Sequence, residues 1–205
     1  MANRSVRGHM MRQAIAREAA RLMIEHGHEN YGVAKRKAAE RFGVTDLAVL
    51  PKNTEIEDAL AEHHRLFGAT SHASEIAAMR AIAVETMRLL AEFEPRLVGP
   101  LLSGTATAHN DITLHLFADT PETVAVKLID RGIPHEFAER RFRTRPDEVE
   151  AFPAVRFTAG EHEVDATIFP RDGIRQAPPG PVDGKPMRRA TLAEVEALTE
   201  KGTFT

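Results

Sequence analysis

The chain opens in helical periodicity and changes to strand periodicity near its middle. Over residues 11–26 the apolar positions Ala14, Ile15, Ala19, Leu22 and Met23 recur at helical spacing, which predicts an amphipathic helix stopped by Gly27. Residues 31–42 (YGVAKRKAAERF) read as a short helix ended by Gly43. Asn53 is placed to cap a third helix over 53–67, with Ile56, Ala59, Leu60 and Phe67 on one side and Glu55 and Glu57 near its positive end. A fourth helix, capped by Ser71 or Ser74, is expected to run to residue 93. Its buried stripe is Ile76, Met79, Ala83, Met87 and Leu90, and Pro95 ends it.

Past Pro95 the pattern changes. Residues 97–102 form a short apolar run between turn residues, which predicts a buried strand with Pro100 marking an edge or a bulge. Residues 103–110 (SGTATAHN) are small and polar, hence a loop. Residues 111–117 (DITLHLF) alternate, with Ile112, Leu114 and Leu116 on one face and Asp111, Thr113, His115 and Phe117 on the other. Pro121 opens a helix over 121–131, closed by Gly132. Further strands are predicted at 136–143, 154–158 and 164–169. The stretch 178–186 (PPGPVDGKP) reads as a linker or an arm over the surface, and Thr191 with Glu194 as the capping box of a last short helix ending at residue 198. Helices followed by strands with one inserted helix give an α+β fold. The expected organisation is a helical region over 1–94, an α/β domain over 95–175, and an arm with a short helix over 176–205. Nothing around residues 93–97 has the composition of a long linker, so the N-terminal helices are expected to pack on a small mixed sheet.

Composition narrows the class. The 205 residues are 42% hydrophobic and 28% charged, ordinary for a chain that buries a core. A net charge of -3 gives no strong electrostatic pull towards nucleic acid or an anionic membrane. The absence of cysteine removes disulfides, thiolate nucleophiles and cysteine-based zinc sites. No stretch approaches the roughly eighteen apolar residues of a membrane span, and the first residues lack the apolar segment of a secretory signal. The expected location is the cytoplasm, with no membrane partner.

Candidate chemistry concentrates in residues 101–117 (LLSGTATAHNDITLHLF) and 163–169 (EVDATIF). Asp165 sits between Val164 and Ala166, and a carboxylate in so apolar a strand needs partners or an open cleft. Strand alternation groups His115 with Asp111 and Thr113, and Glu163 with Asp165. A second feature is basic: in ERRFRTR, Arg140 is followed by Arg141, Arg143 and Arg145, which share a strand face. Arg141 and Arg143 could hold a nucleotide phosphate or RNA; the same charges could equally guard an edge strand against pairing. Lys185, Arg188 and Arg189 lie near the Pro-rich arm. The remaining histidines carry little: His63 and His64 are adjacent on a helix and diverge, and His26 and His28 flank a helix stop. There is no GxxxxGK[ST] loop, no GxGxxG turn and no GxSxG elbow.

On the Gly-containing turn, the strand that follows it and the later acidic strand, residues 85–172 resemble the nucleotidyltransferase superfamily of polymerase-β type. The resemblance implies a nucleotidyltransferase-like sheet, with Ser103, Gly104 and Thr105 holding a nucleoside triphosphate. It implies Asp111 and Asp165 as catalytic ligands of Mg2+ or Mn2+. The reaction would move a nucleoside monophosphate to an acceptor such as RNA or a protein. Thr113 stands where the family has its second carboxylate, and His115 and Glu163 are the residues that could complete a mixed metal site with Asp111 and Asp165. Thr113 also keeps open a catalytically inactive protein of the same fold that binds a nucleotide, RNA or a protein partner. A third reading makes the N-terminal helices a protein-interaction module. Some bacterial proteins that this chain resembles over most of their length carry the label UDP-N-acetylmuramate–alanine ligase. This chain is too short for that ligase and has no glycine-rich ATP loop, so ligase activity is not expected.

Overall fold

The structure, a computed structural model, describes residues 2–27, 30–67, 69–145 and 148–202. His28 lies outside the described residues, as does the side chain of Arg145. The helices are α1 (Ala2–His26), α2 (Tyr31–Arg41), α3 (Asn53–Phe67), α4 (Ala69–Leu89), α5 (Pro100–Ser103), α6 (Pro121–Asp130) and α7 (Leu192–Gly202). The strands are β1 (Arg96–Leu97), β2 (Ile112–Phe117), β3 (His135–Arg145), β4 (Glu148–Ala159) and β5 (His162–Phe169). The fold is α+β with a five-stranded mixed sheet.

The chain forms two compact units. The first comprises residues 1–72 with 107–109 and 181–183. Its core joins Ile15, Ala19, Leu22, Ala34, Ala38, Ile56 and Leu60 from α1, α2 and α3. Alanine supplies about half of these buried positions, and small side chains let helix backbones approach closely. Asn30 starts α2, its Oδ1 accepting from the amides of Gly32 (2.8 Å) and Val33 (3.2 Å).

The second unit holds the remaining residues, including α4 from Ala73 onward. The sheet order is β1-β2-β5-β4-β3, parallel only between β2 and β5. One sheet face is apolar: Leu97, Ile112, Leu114, Leu116, Val155, Phe157, Val164, Ala166 and Ile168 are buried there. Ile76, Met79, Ala83 and Met87 from α4 join that core, with Val124 and Leu128 from α6 and Val195 from α7. The helical stripe expected of α4 therefore belongs to the sheet's core, while α1 to α3 have a core of their own. The capping box of α7 is present: Thr191 donates N–H and O–H to Glu194 Oε2 at 2.7 and 2.8 Å.

α1 and α4 begin earlier than expected, at Ala2 and Ala69, so Ser71 and Ser74 lie within α4 rather than capping it, and α4 ends at Leu89 instead of 93. Two further elements differ more. The strand expected over 97–102 is only two residues long. Gly99, at φ +73°, turns the chain, and Pro100 occupies the first position of α5, where a missing N–H has no cost. Leu101 and Leu102 are buried as helical residues instead. Conversely, β4 starts at Glu148 and runs through Pro153. Its ladder with β5 covers only Ala154 to Ala159, so Pro153 has a strand neighbour on the β3 side alone. A proline is tolerated where one edge asks for no donor.

Candidate functional site

The sheet register decides which candidate residues meet. Directly paired residues share a face, so the side opposite the apolar core carries cross-sheet rows, with Phe142 and Glu150 at one end. The first row joins the pair Phe117 and Phe169 to the pair Phe152 and Arg140 by a ring contact between Phe152 and Phe169, 4.5 Å between centres. The second is Arg96, His115, Thr167, Ala154 and Ala138. The third is Thr113, Asp165, Arg156 and Glu136. Glu163 and Thr158 form the fourth. Asp111 immediately precedes β2 beside the third row.

Asp165 lies at the centre of this face, with its side chain 9% exposed. Arg140 reaches across from β3, and both its Nε and Nη2 donate to Asp165 Oδ2. Asp165 Oδ1 is buried with no hydrogen-bond partner. Arg156 stands opposite Asp165 in the ladder, 3.6 Å from Asp111 Oδ2 and 3.4 Å from Glu136 Oε1. The two carboxylates singled out by sequence do share one face, and each has a guanidinium against it.

Arg141 and Arg143, expected to hold phosphate, have the opposite parity. They project from the other side of β3, exposed, away from Asp165. The arginines that reach the carboxylates are Arg140 and Arg156. A strand's own alternation groups Arg141 with Arg143 but cannot say which sheet face they take; that depends on non-local register. A signal for Arg156 did exist: it is the one charged residue in the run AVRF.

His115 is fully buried. Its Nδ1 accepts from Arg189 Nε at 3.0 Å, so in the neutral ring the proton sits on Nε2, which has no partner. Burial, reinforced by the Arg189 charge, lowers its pKa from 6.5 to about 3. Arg189 also donates to Gly173 O (2.8 Å) and lies 5.0 and 4.9 Å from the ring centres of Phe117 and Phe169. Burial, with Arg96 nearby, lowers the Arg189 pKa to about 10, which still leaves it cationic at neutral pH. The segment after the Pro-rich arm thus inserts an arginine beside β2, and Ala190 exchanges two backbone hydrogen bonds of 2.9 Å with Leu97. Nothing in the local sequence separates Arg189 from its neighbour Arg188.

The turn expected to cradle a triphosphate is turned inwards. The amides of Gly104, Thr105 and Ala106 all donate to Pro100 O at 2.9, 3.0 and 3.2 Å. Ser103 Oγ donates to the same oxygen at 3.2 Å and lies 2.8 Å from Thr105 Oγ1. From α4, Arg80 Nη2 donates to Leu101 O at 3.1 Å and secures the turn. The turn at Gly99–Pro100 lies against the carboxylate face, since a Cβ added at Gly99 would be 3.8 Å from Thr113 Oγ1.

The donor set expected for Mg2+ or Mn2+ is divided among other partners. Arg140 binds Asp165, Arg156 faces Asp111, His115 Nδ1 is taken by Arg189, and Glu163 Oε1 accepts from Thr158 Oγ1 at 2.8 Å. Thr113, directly opposite Asp165, supplies a hydroxyl where a third carboxylate would add charge. Among the described residues no group of three or more His, Asp or Glu is placed to hold a metal ion. No helix among the described residues is long and apolar enough to cross a membrane. The architecture defines an α+β protein with a charged and aromatic sheet face. Comparison with family models, with curated proteins and with solved structures finds no match.

Proposed function

We propose that this chain is a catalytically inactive protein of nucleotidyltransferase-like fold that binds a nucleotide at the arginine-bearing face of its sheet without a divalent cation. The observation that carries the reading is Arg140 on Asp165. A guanidinium there neutralises the carboxylate that a metal ion would otherwise have to neutralise. The loss of a carboxylate at Thr113 points the same way, because a hydroxyl cannot supply the charge that a two-metal site needs. Arg140 and Arg156 supply cations for phosphate oxygens. Phe142 and Phe152, half-buried at the end of the same face with ring centres 5.9 Å apart, supply an apolar edge for a base.

Calorimetric titration of the full chain with the nucleoside mono-, di- and triphosphates, in EDTA and in Mg2+, tests this. The expected result is binding of similar strength in both buffers, with no pyrophosphate released in Mg2+ or Mn2+. Metal-dependent pyrophosphate release that Asp165→Asn abolishes would establish the enzyme instead. Absence of any nucleotide binding would leave RNA or a protein partner as the remaining readings of the fold.

A further inference from the structure

We infer that β3 is a self-association edge, which pairs antiparallel with β3 of a second copy of this chain in one register centred on Arg140. This rests on the strand alone and not on the nucleotide reading.

β3 is eleven residues long and stands last in the sheet order, with no strand on its outer side among the described residues. Such an edge offers a row of backbone donors and acceptors to another strand. Charges on an edge normally prevent this pairing, so their arrangement decides the outcome. On an antiparallel two-fold, directly opposed residues share a face and the two contacts are reciprocal. With Arg140 opposite its own copy, Glu139 faces Arg141 of the second copy and Arg141 faces its Glu139. Ala138 faces Phe142, and Phe137 faces the aliphatic stem of Arg143.

Glu139 and Arg141 are well suited to exchange partners. Both project from the same face, with side chains 54% and 74% exposed, and they already bond each other along the strand at 3.0 Å. Phe137 is 59% exposed in the same row. Arg140, the residue that meets itself, is held back over its own sheet by Asp165, which removes most of the like-charge penalty at the centre. The neighbouring registers are poor. A shift one way opposes Glu139 to Glu139, and a shift the other way opposes Arg141 to Arg141. Like charges directly opposed across a ladder destabilise it. The pattern that looks like protection against random edge pairing therefore favours one two-fold pairing, which would join two five-stranded sheets edge to edge.

Sedimentation equilibrium over a range of concentrations, with charge variants, tests the proposal. Wild type is expected to associate reversibly to a dimer. Glu139→Arg alone or Arg141→Glu alone replaces two attractive contacts by two repulsive ones and should weaken the dimer by roughly tenfold or more. The double exchange, Glu139→Arg with Arg141→Glu, should restore it. These side chains are exposed, and unchanged circular dichroism of each variant checks folding. Register is read separately. The chain has no cysteine, so Ala138→Cys and Phe142→Cys protomers should cross-link under diamide when mixed, and neither should when alone. A wild type that stays monomeric overturns the proposal. So does a dimer indifferent to the charge exchange, or a cross-link formed by Ala138→Cys alone.

Discussion

The two faces of the sheet are made by the same strands, residue by alternate residue, yet they solve burial in different ways. On one face Ile112, Leu114, Leu116, Val164, Ala166 and Ile168 meet helices and need only shape to be satisfied. On the other, His115, Asp165 and Thr167 are also buried, but among arginines and phenylalanines. Each of those polar groups needs a directed partner. The first face tolerates any well-fitted apolar side chain. The second depends on Arg140 from β3, Arg156 from β4 and Arg189 from the C-terminal segment arriving in the right row. Stability is therefore expected to respond to volume on one face, and to charge and protonation on the other.

The largest effect should come from the apolar face. Leu114 is fully buried in the middle of β2, and Leu114→Ala should lose about 2–5 kcal/mol of unfolding free energy. Thr158→Ala on the other face, at an exposed site, should stay within about 0.5 kcal/mol. Urea denaturation of both variants compares them directly, and equal losses would erase the distinction between the faces.

Protonation should act on the other face alone. Burial holds the His115 pKa at about 3 in the folded chain against 6.5 for an ordinary histidine. The folded state thus binds this proton less readily than the unfolded state. The contribution is fully present above pH 6.5 and is lost as pH falls from there towards 3, by up to about 1.4 kcal/mol per pH unit. The charges facing the ring, Arg189 and Arg96, are both cationic and oppose its protonation further. His115→Asn places an amide oxygen where Nδ1 accepts from Arg189. Its denaturation midpoint should depend less on pH across that window, by up to one proton. An unchanged slope would mean that His115 is not the group responsible.

The Arg140–Asp165 pair gives an asymmetric test. Asp165 is nearly enclosed, while the Arg140 side chain is 37% exposed. Arg140→Ala leaves a buried carboxylate without its cation and should cost about 1–3 kcal/mol, below the range for a wholly buried pair because water can enter on the arginine side. Asp165→Asn leaves an arginine that can turn to solvent and should cost less. A thermal melt that ranks the two the other way would contradict the burial assigned to Asp165.

How much of this was legible follows from how local each decision is. Alternation in DITLHLF correctly sorted Ile112, Leu114 and Leu116 from Thr113, His115 and Phe117, since parity within one strand is written in its own residues. The proline start and glycine stop of α6 and the Thr191–Glu194 box are local too. Asn53, expected to cap α3, is instead its first helical residue: Lys52 precedes it, and Lys52 N donates to Glu55 Oε2 at 2.7 Å. What could not be read is how one strand's parity matches another's. Arg140 and Arg141 differ by one position, and only the ladder with β4 decides which of them meets Asp165. Arg189 arrives from a segment distant in sequence, and no periodicity marks it. Residues 97–102 were misread because an apolar run bounded by turns fits a buried strand and a buried helical turn alike. Gly99 and Pro100 decide in favour of the helix.

The smallest expected effect is the most informative about the site. Thr113→Asp puts a carboxylate directly opposite Asp165, beside Asp111. Without metal, two like charges opposed across a ladder should cost a few tenths of a kcal/mol up to about 1 kcal/mol. Arg140 and Arg156 offset part of that repulsion. A divalent cation that prefers the folded variant would reverse the loss, because any ligand of the native state alone stabilises it. The variant should therefore melt below wild type in EDTA and gain temperature with Mg2+ or Mn2+, while wild type shows no such gain. The comparison separates two causes of an inactive site. If Thr113→Asp responds to metal, the missing carboxylate was the only defect and the guanidinium groups yield to a cation. If it does not respond, Arg140 and Arg156 hold the carboxylates too firmly for a metal to displace them. If wild type itself gains as much as the variant, Thr113 is no barrier and the metal-independent reading of this face fails.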